Sequence, residues 1–274
     1  LSLHDALPIL ILYNLSVGAK QEELEYVYEK GLKAVPTFGV IPCTATFGTE
    51  PYSEQPLMPT KKIEGLRSDG TLHMDHKLVI HKPISKEGKL HLEKVISAVY
   101  DRGEGKGAKI NVDIIAKDRA GEPVFTNTMG YLNRWAGGFG GPKVPHSTVV
   151  IPEREADYEI KDAYPENAPL LYRLTGDTYP LHADPAFAKK AGFDRPIVHG
   201  LCSLGYACRM MIDALFPGEP ERMVSIENQF RAVALPGDHF TLHVWKTGEN
   251  EALFRMVKDS DGKAILDYGR MTWK

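Results

Sequence analysis

The sequence has few cysteines, no strong excess of charge and no long apolar run. Its three cysteines, Cys43, Cys202 and Cys208, lack metal-binding spacing, which favours free thiols in a reducing compartment. The formal net charge of −3 gives no reason to expect nucleic-acid binding. No apolar run approaches the ~20 residues that a membrane-spanning helix needs. With a hydrophobic content of 43%, the composition is typical of an ordinary soluble globular protein.

The first residues stand apart from the rest of the chain. The string Leu-Ser-Leu-His-Asp-Ala-Leu-Pro-Ile at 1–9 looks like the translation of a common sequencing adapter. We therefore expect 1–9 to be a non-native segment. The short apolar stretch from Ala6 to Tyr13 would suit a signal peptide, but no basic stretch precedes it and Asp5 is acidic.

A Gly- and Pro-rich region divides the chain into two halves. Trp135 to Pro142 contains four glycines before its proline, and further prolines alternate with acidic residues as far as Pro169. This composition is typical of a linker that runs over a surface. We expect an N-terminal unit at 10–141, a linker at 142–160 and a C-terminal unit at 161–274.

The C-terminal half predicts one buried helix followed by an antiparallel meander. Asp184-Pro185 is an N-cap and first helical residue for a short helix to about Ala191, and a long apolar helix is expected from Leu201 to Phe216. Alternating runs separated by turns then indicate strands at Val224–Val233, Phe240–Thr247, Ala252–Lys258 and Ala264–Trp273. The pattern predicts a curved sheet wrapped around a helix.

The N-terminal half repeats the strand pattern without a comparable helix. Strands are expected at Lys77–Pro83, Lys89–Asp101, Ala108–Ala116 and Pro123–Arg134. The two halves are thus predicted to be related units, with the central helix of the first unit reduced.

The stretch from Tyr172 to His182 carries the main chemical signal. Asp177 and His182 lie in one turn punctuated by Gly176 and Pro180, and His199-Gly200 opens the long apolar helix. A carboxylate and an imidazole can share one water, and an unpaired helix N–H can stabilise an oxyanion. Each feature also has a structural interpretation: an Asx turn for Asp177, a half-buried histidine for His182, and a polar helix start for His199.

Two other features are not expected to be catalytic. Gly137 to Gly141 resembles a phosphate loop only in composition, because no Lys-Ser/Thr follows it and the strand-to-helix context is missing. Cys202 lies near the motif but on an apolar helix without a dedicated base, so a packing role is expected.

The residues from Tyr172 through Cys202 resemble a known family. The segments Gly-Asp-Thr-Tyr-Pro-Leu-His at 176–182, Ala-Gly-Phe at 191–193 and His-Gly-Leu at 199–201 resemble the R-specific enoyl-CoA hydratase 2 family of MaoC-like proteins. The resemblance extends from about Leu12 to Trp273. One position departs from the family pattern, because Tyr179 stands where the family has Asn, which puts the geometry of the loop in question.

The resemblance implies an α+β double hot-dog fold and reversible hydration of trans-2-enoyl-CoA to (3R)-3-hydroxyacyl-CoA. It places Asp177 and His182 on the water and the transferred proton, Gly200 N–H on the thioester oxygen, and Glu29 as a further active-site carboxylate. No cofactor and no metal is implied, because CoA is part of the substrate. Substrate contacts are implied for the remaining matching positions: His73, Met74, Arg102, Thr178, Tyr179, Pro180, Leu181, His199, Phe230, Tyr13 and Tyr172.

Two alternatives stay open at this point. A non-catalytic acyl-CoA-binding hot-dog protein would keep the fold, and Tyr179 is the feature that favours it. A related hydratase would act on branched, dicarboxylic or steroid-side-chain CoA esters. From the family we expect a homodimer, and the C-terminal Met271-Thr-Trp-Lys274 lacks a peroxisomal Ser-Lys-Leu-like address, which favours a bacterial-type cytoplasmic protein.

Overall fold

The computed structural model describes residues 3–44, 71–85 and 88–274. None of the helices in these ranges is long and apolar enough to cross a membrane. The helices are α1 (Leu3–Ser16), α2 (Leu24–Val27), α3 (Ile41–Thr44), α4 (Ala168–Arg173), α5 (Pro185–Lys190) and α6 (Gly200–Leu215). The strands are β1 (Thr71–Ile80), β2 (His91–Asp101), β3 (Ala108–Lys117), β4 (Pro123–Asn133), β5 (Tyr158–Ala163), β6 (Met223–Phe230), β7 (His239–Gly248), β8 (Glu251–Lys258) and β9 (Ala264–Trp273).

All nine of these strands form one antiparallel sheet in the order β2-β3-β4-β1-β6-β9-β8-β7-β5. The four strands of the N-terminal half and the five of the C-terminal half meet where β1 pairs with β6. His76 lies opposite Asn228 across this junction. The sheet therefore joins the two related units through backbone hydrogen bonds.

Helix α6 forms the centre of the C-terminal half. Every residue from Leu201 to Ile212 is buried, which agrees with the apolar pattern of the sequence on most faces of the helix. The helix ends at Leu215, just before Pro217-Gly218, and Gly218 has the positive φ of 74° that suits glycine. The predicted strands β6 to β9 follow α6 and pack on it, but the meander comprises β7, β8 and β9, because β6 pairs with β9 and not with β7.

In the described part of the N-terminal half, the position that corresponds to α6 holds much less helix. A 3-10 segment at Pro36–Val40 and the single helical turn α3 pack against the sheet there. The side-chain amide of Asn127 on β4 anchors this segment by donating a hydrogen bond to the carbonyl of Gly39 at 3.1 Å. The sequence expectation of a double hot-dog with a reduced N-terminal helix is thus confirmed.

Two elements differ from the sequence expectations. Helix α1 begins at Leu3 and includes Pro8, whereas the sequence indicated no helix there. Its residues Leu10 and Tyr13 are buried, because they pack on the rest of the N-terminal half and on α4. Strand β5 begins inside the segment expected to be a linker and pairs with β7 at the edge of the sheet. The expected division at 10–141, 142–160 and 161–274 stays a prediction.

The Gly-rich segment after β4 is held by one carboxylate. The carboxylate of Asp101 accepts hydrogen bonds from the backbone N–H groups of Gly103, Gly138 and Gly140 at 2.7–2.8 Å. These donors, Gly103 first, hold the pKa of Asp101 below its usual range. The glycine N–H groups are thus used within the fold, as expected for a turn and not for a phosphate loop. Arg102 directly follows this anchor.

Candidate active site

The loop after α4 places Asp177 and His182 next to each other. Gly176 has a φ of 142°, a conformation that other residues rarely adopt, and it turns the chain out of α4. The Asp177 carboxylate then accepts a weak hydrogen bond from the Tyr179 backbone N–H at 3.4 Å. A 3-10 turn over Pro180–His182 follows and brings His182 back towards Asp177. The two side chains are both half-buried and interact electrostatically.

One backbone carbonyl determines which nitrogen of His182 is available. His182 Nδ1 lies 2.9 Å from the carbonyl oxygen of Ile197, which can only accept a hydrogen bond. The Nδ1–H therefore donates to Ile197, and in the neutral ring Nε2 keeps its lone pair. Because Ile197 also donates its N–H to the carbonyl of Leu181, the loop is fixed to this segment at two neighbouring positions. Nε2 is the nitrogen that can accept a proton.

His199 lies directly behind the catalytic pair. Its ring stacks on that of His182 with a centroid distance of 3.6 Å, and its other side contacts the ring of Tyr172 at 4.8 Å. His199 Nε2 lies 3.0 Å from the backbone carbonyl oxygen of Asp177, so that Nε2–H donates there. The side chain is only 1% exposed, and its backbone continues into Gly200. The structure thus places the ring of His199 against the catalytic loop.

Gly200 is the first residue of α6, and its N–H has no partner within the helix. Helix α6 has 16 residues, and the positive end of its dipole lies at Gly200. A Cβ on residue 200 would lie 2.9 Å from ring atoms of Phe230, so a side chain here would displace that ring. Glycine therefore keeps the approach to the helix N-terminus open, and the N–H can donate to an oxyanion.

Burial moves the pKa values of the two catalytic groups towards each other. Desolvation raises the pKa of Asp177, whereas the charge of His182 lowers it. Desolvation lowers the pKa of His182, whereas the charge of Asp177 raises it. The charge of each group therefore affects the pKa of the other.

Sequence reasoning missed Arg173, which follows Tyr172 at the end of α4. Its guanidinium donates a hydrogen bond to the carbonyl of Thr178 at 3.2 Å and thereby holds the catalytic loop. Its charge lowers the pKa of Asp177 and that of His182. Arg173 precedes the candidate Gly-Asp motif by three residues, and a cation so near the motif could have indicated a charged neighbour of the site. Nothing in the sequence showed that the Arg173 side chain points towards the loop.

Tyr179 contacts Asp177 through its backbone. The hydrogen bond that its residue gives to Asp177 comes from the backbone, so it does not depend on an Asn side chain. The Tyr179 ring packs edge-on against Phe187 of α5 at 5.4 Å and is 41% exposed. The ring therefore lies between Phe187 of α5 and His182, whose ring centroid is 6.3 Å away in an edge-on arrangement.

The other expected site residues lie at different distances from this pair. Glu29 is exposed in the bend after α2, and its role as an active-site carboxylate stays a prediction. Tyr13 is buried and reaches the site only through Tyr172, whose ring lies 6.1 Å away. His73 is half-buried, and its ring contacts that of Phe230 at 4.9 Å. Burial lowers the pKa of His73 to about 3, so it is neutral.

Met74 and Arg102 line a cavity of about 700 Å³ between the sheet and residues 144–151. Met74 directly follows His73 at a β-bulge, and the cavity also includes the two residues that flank Phe230 in sequence, Gln229 and Arg231. It is rich in basic groups, whose remaining members are Lys109, His146 and Arg255. Such a cavity suits a ligand that carries several negative charges.

The basic groups of this cavity differ in their partners. Lys109 pairs with Asp75 at 2.7 Å and Arg255 pairs with Asp267 at 2.8 Å. In the part of the chain that the structure describes, Arg102 and Arg231 form no ion pair, and Arg231 lies 5.5 Å from the ring centroid of Tyr268. Among the same residues, no group of three or more His, Cys, Asp or Glu side chains could hold a metal ion.

Comparison with known families assigns both halves of the chain. Residues 8–134 match the MFE-2 hydratase 2 N-terminal domain, and residues 147–266 match the MaoC like domain. The chain is 33% identical to a probable enoyl-CoA hydratase 2 of Dictyostelium discoideum over 94% of this chain and 87% of that protein. The chain belongs to the hydratase 2 family of MaoC-like proteins.

Other members of this family are similar over nearly the whole chain. Enoyl-CoA hydratase ChsH3 of Mycobacterium tuberculosis is 31% identical over 93% of this chain and 88% of its own length. The crystal structure of a MaoC-like dehydratase from Phytophthora capsici superposes with a TM-score of 0.84 at 28% identity, covering 98% of this chain and 92% of that chain. The likeness confirms the double hot-dog fold.

The coupled pair predicts the pH dependence of activity. The base form of the pair is lost as the pH falls, and burial lowers the pKa of the His182 imidazole below its ordinary value of 6.5. We expect kcat/KM of this hydratase 2 family member to be flat near pH 7 and to fall on the acid side, below the ordinary range of a histidine.

This pH profile is measured with a short enoyl-CoA substrate, together with a substrate-free unfolding curve at each pH as control. An acid limb centred above pH 6.5 would contradict the arrangement, because it would require an exposed or positively stabilised imidazole.

Proposed function

We propose that this protein catalyses the reversible hydration of trans-2-enoyl-CoA to (3R)-3-hydroxyacyl-CoA. The observation that carries the proposal is the convergence of Asp177, the Nε2 lone pair of His182 and the N-terminus of α6. Hydration of an enoyl thioester needs a base for water, a proton for Cα and a donor for the thioester oxygen. Relatives named enoyl-CoA hydratase 2 support the same reaction, and the (R) configuration follows from the family resemblance.

In the proposed reaction, water supplies both the hydroxyl that is added to Cβ and the proton that is added to Cα. A water held by Asp177 and His182 loses a proton to the pair, and its oxygen bonds to Cβ as the C=C π bond breaks. The electron pair moves to the thioester oxygen, where the N–H of Gly200 stabilises the enolate, an interaction whose loss typically costs about 3 kcal/mol. The pair then gives the proton to Cα, so the enzyme returns to its starting state.

The basic cavity supports CoA as the carrier of the acyl group. It lies beside Phe230, whose ring packs against Gly200, so a ligand in it reaches towards the oxyanion donor. Arg102 and Arg231 are the groups that we assign to the phosphates of the nucleotide, because they lack carboxylate partners in the described residues and guanidinium groups bind phosphate in a bidentate manner. The acyl chain is expected to extend towards the N-terminal unit, where the central helix is reduced.

Tyr179 favours the alternative of a non-catalytic acyl-CoA-binding protein, because the family has Asn at this position. The hydrogen bond from the Tyr179 backbone N–H to Asp177, which does not depend on an Asn side chain, supports the catalytic proposal instead. The preference for branched, dicarboxylic or steroid-side-chain esters, the homodimer and the cytoplasmic location all stay predictions. Relatives named as peroxisomal and relatives from bacteria both occur among the similar proteins.

Replacing the catalytic carboxylate tests the proposed reaction. We expect the wild-type protein to hydrate crotonyl-CoA to (3R)-3-hydroxybutyryl-CoA, and Asp177→Asn to lower kcat by roughly 10²–10⁴-fold, the usual contribution of an acid–base group. The amide keeps the shape of the side chain and can still accept the Tyr179 N–H. Loss of absorbance at the enoyl thioester band gives the rate, and chiral chromatography gives the configuration.

Asp157→Asn serves as the matched control, because Asp157 is an ion-paired carboxylate near the surface, outside the site. An (S) product, or an Asp177→Asn protein as active as wild type, would contradict the mechanism. Tight binding of crotonyl-CoA by the wild-type protein without turnover would favour the non-catalytic alternative.

Removal of a basic group tests the position of the nucleotide. Arg231→Gln is expected to raise KM for crotonyl-CoA by about 10-fold with kcat little changed, because a charge-assisted contact to phosphate contributes roughly 1.5 kcal/mol. The same change leaves kcat/KM for crotonyl-pantetheine unaltered, since that thioester lacks the nucleotide. Steady-state kinetics with both substrates provide the measurement.

Arg119→Gln in the turn between β3 and β4 is the control for a general loss of positive charge. An equal loss with crotonyl-CoA and crotonyl-pantetheine would place Arg231 outside the nucleotide site.

A further inference from the structure

His199 is hydrogen-bonded to Asp177, stacked on His182 and adjacent in sequence to Gly200. Its ring lies between those of Tyr172 and His182, with centroid distances of 4.8 Å and 3.6 Å. The Nε2–H donates to the backbone carbonyl of Asp177 at 3.0 Å. Its own backbone is the N-cap of α6 and leads directly into Gly200. No other residue of the described loop combines contacts to all three catalytic positions.

The side chain of His199 cannot act on substrate itself. It is 1% exposed, and His182 covers the face that is directed towards the pair. Its Nδ1 is buried and has no hydrogen-bond partner in the described structure. The resemblance implied a substrate contact for His199, and only its backbone, which leads into Gly200, is placed for one.

We propose that His199 is a positioning residue that sets the distance between the Asp177 carboxylate, His182 Nε2 and the Gly200 N–H. The hydrogen bond to the Asp177 carbonyl fixes the start of the loop, and the stack fixes the plane of the His182 ring. This inference rests on the proposed hydration, because it assigns how the same site is held in its reactive geometry.

His199 performs this role as a neutral ring. The titratable and charged groups that face it are Asp177, His182, Arg173 and Tyr172. A proton on Nδ1 would find no acceptor and would face both the stacked imidazole and the Arg173 cation. Burial first, and then these neighbours, hold the pKa of His199 well below its usual range. Its state therefore does not change across the working pH.

Two substitutions separate the stack from the hydrogen bond. His199→Phe keeps a ring against His182 but removes the donor to Asp177, whereas His199→Gln keeps an N–H donor and removes the ring. We expect each to lower kcat for crotonyl-CoA by about 10²-fold, the usual effect of misplacing reacting groups by ~1 Å, with KM changed less than about threefold. The acid limb of the pH profile keeps its position in both variants, because the neutral ring contributes no charge.

Tyr164→Phe is the matched control for a loss of buried hydrogen bonding. Tyr164 donates to Ser203 of α6 at 2.8 Å, so its removal weakens the same helix without touching the catalytic loop. We expect this control to lower the midpoint of urea unfolding and to leave kcat unchanged. Full kcat in both folded His199 variants would overturn the proposal, as would a large rise in KM at constant kcat, which would indicate a substrate contact.

Nitrogen NMR of the imidazole rings tests the proposal without turnover. In the wild-type protein at pH 7 we expect His199 as the neutral Nε2–H tautomer and His182 as the neutral Nδ1–H tautomer. In His199→Gln, His182 keeps its tautomer, because the Ile197 carbonyl selects it, and its ring nitrogen signals shift because the stacked ring is lost. A doubly protonated or Nδ1–H His199 in the wild-type protein would overturn the inference. The same spectra decide it if the variants do not fold. Failure of the wild-type protein to hydrate crotonyl-CoA would contradict the proposed function. The NMR result does not depend on turnover and would still test the position and tautomer of His199.

Discussion

The burial of α6 determines where chemistry can occur in this protein. A helix that is apolar on most faces must be covered on all sides, and the sheet, α1 and the catalytic loop provide that cover. Its first N–H groups cannot be paired within the helix, so the one open approach to its N-terminus becomes a site for negative charge. Gly200 keeps that approach open against Phe230. The catalytic pair then has to be brought to this point.

Local hydrogen bonds bring the pair of Asp177 and His182 to the N-terminus of α6. The backbone carbonyl of Ile197 selects the tautomer of His182, and the carbonyl of Asp177 selects that of His199. Arg173 holds the loop from the end of α4 through the carbonyl of Thr178. These contacts use main-chain acceptors, whose positions are fixed by the fold, and they therefore determine the chemistry more rigidly than exposed side-chain pairs would. The contact of Tyr179 with the Asp177 carboxylate comes from its backbone N–H, which an Asn at this position would also offer.

The N-terminal half meets the C-terminal half beside the basic cavity. The junction of β1 and β6 places His73 and Phe230 side by side, and the basic cavity lies next to them. Residues of both halves and of the segment between them line this cavity, whereas Asp177, His182 and Gly200 all belong to the C-terminal half. Glu29, which the resemblance assigned to the site, is exposed in the bend after α2, and its role stays a prediction.

Local patterns were sufficient for most of the fold and for the centre of the site. Alternation and turn residues placed β6 to β9, and an apolar run that ends at Pro217-Gly218 placed α6. Helix α1 was missed because Pro8 and an apolar stretch near the start were interpreted as features of a leader or an artefact, whereas tertiary packing makes it helical. Strand β5 was missed because a short polar edge strand has little pattern of its own.

Asp177, His182 and Gly200 could be predicted because motif and chemistry coincide in sequence. Arg173 and the stacking of His199 on His182 could not be predicted, because both depend on how α4 and α6 meet in space.

The stereochemical course of hydration tests the central claim most directly. Asp177 and His182 lie on one loop, so the hydroxyl and the proton reach the double bond from the same face. Hydration of crotonyl-CoA in D₂O, with proton NMR of the product at C2 and C3, is therefore expected to show syn addition of deuterium and hydroxyl in a (3R) product. Anti addition, or deuterium distributed over both faces of C2, would contradict a single Asp177–His182 pair acting on one water.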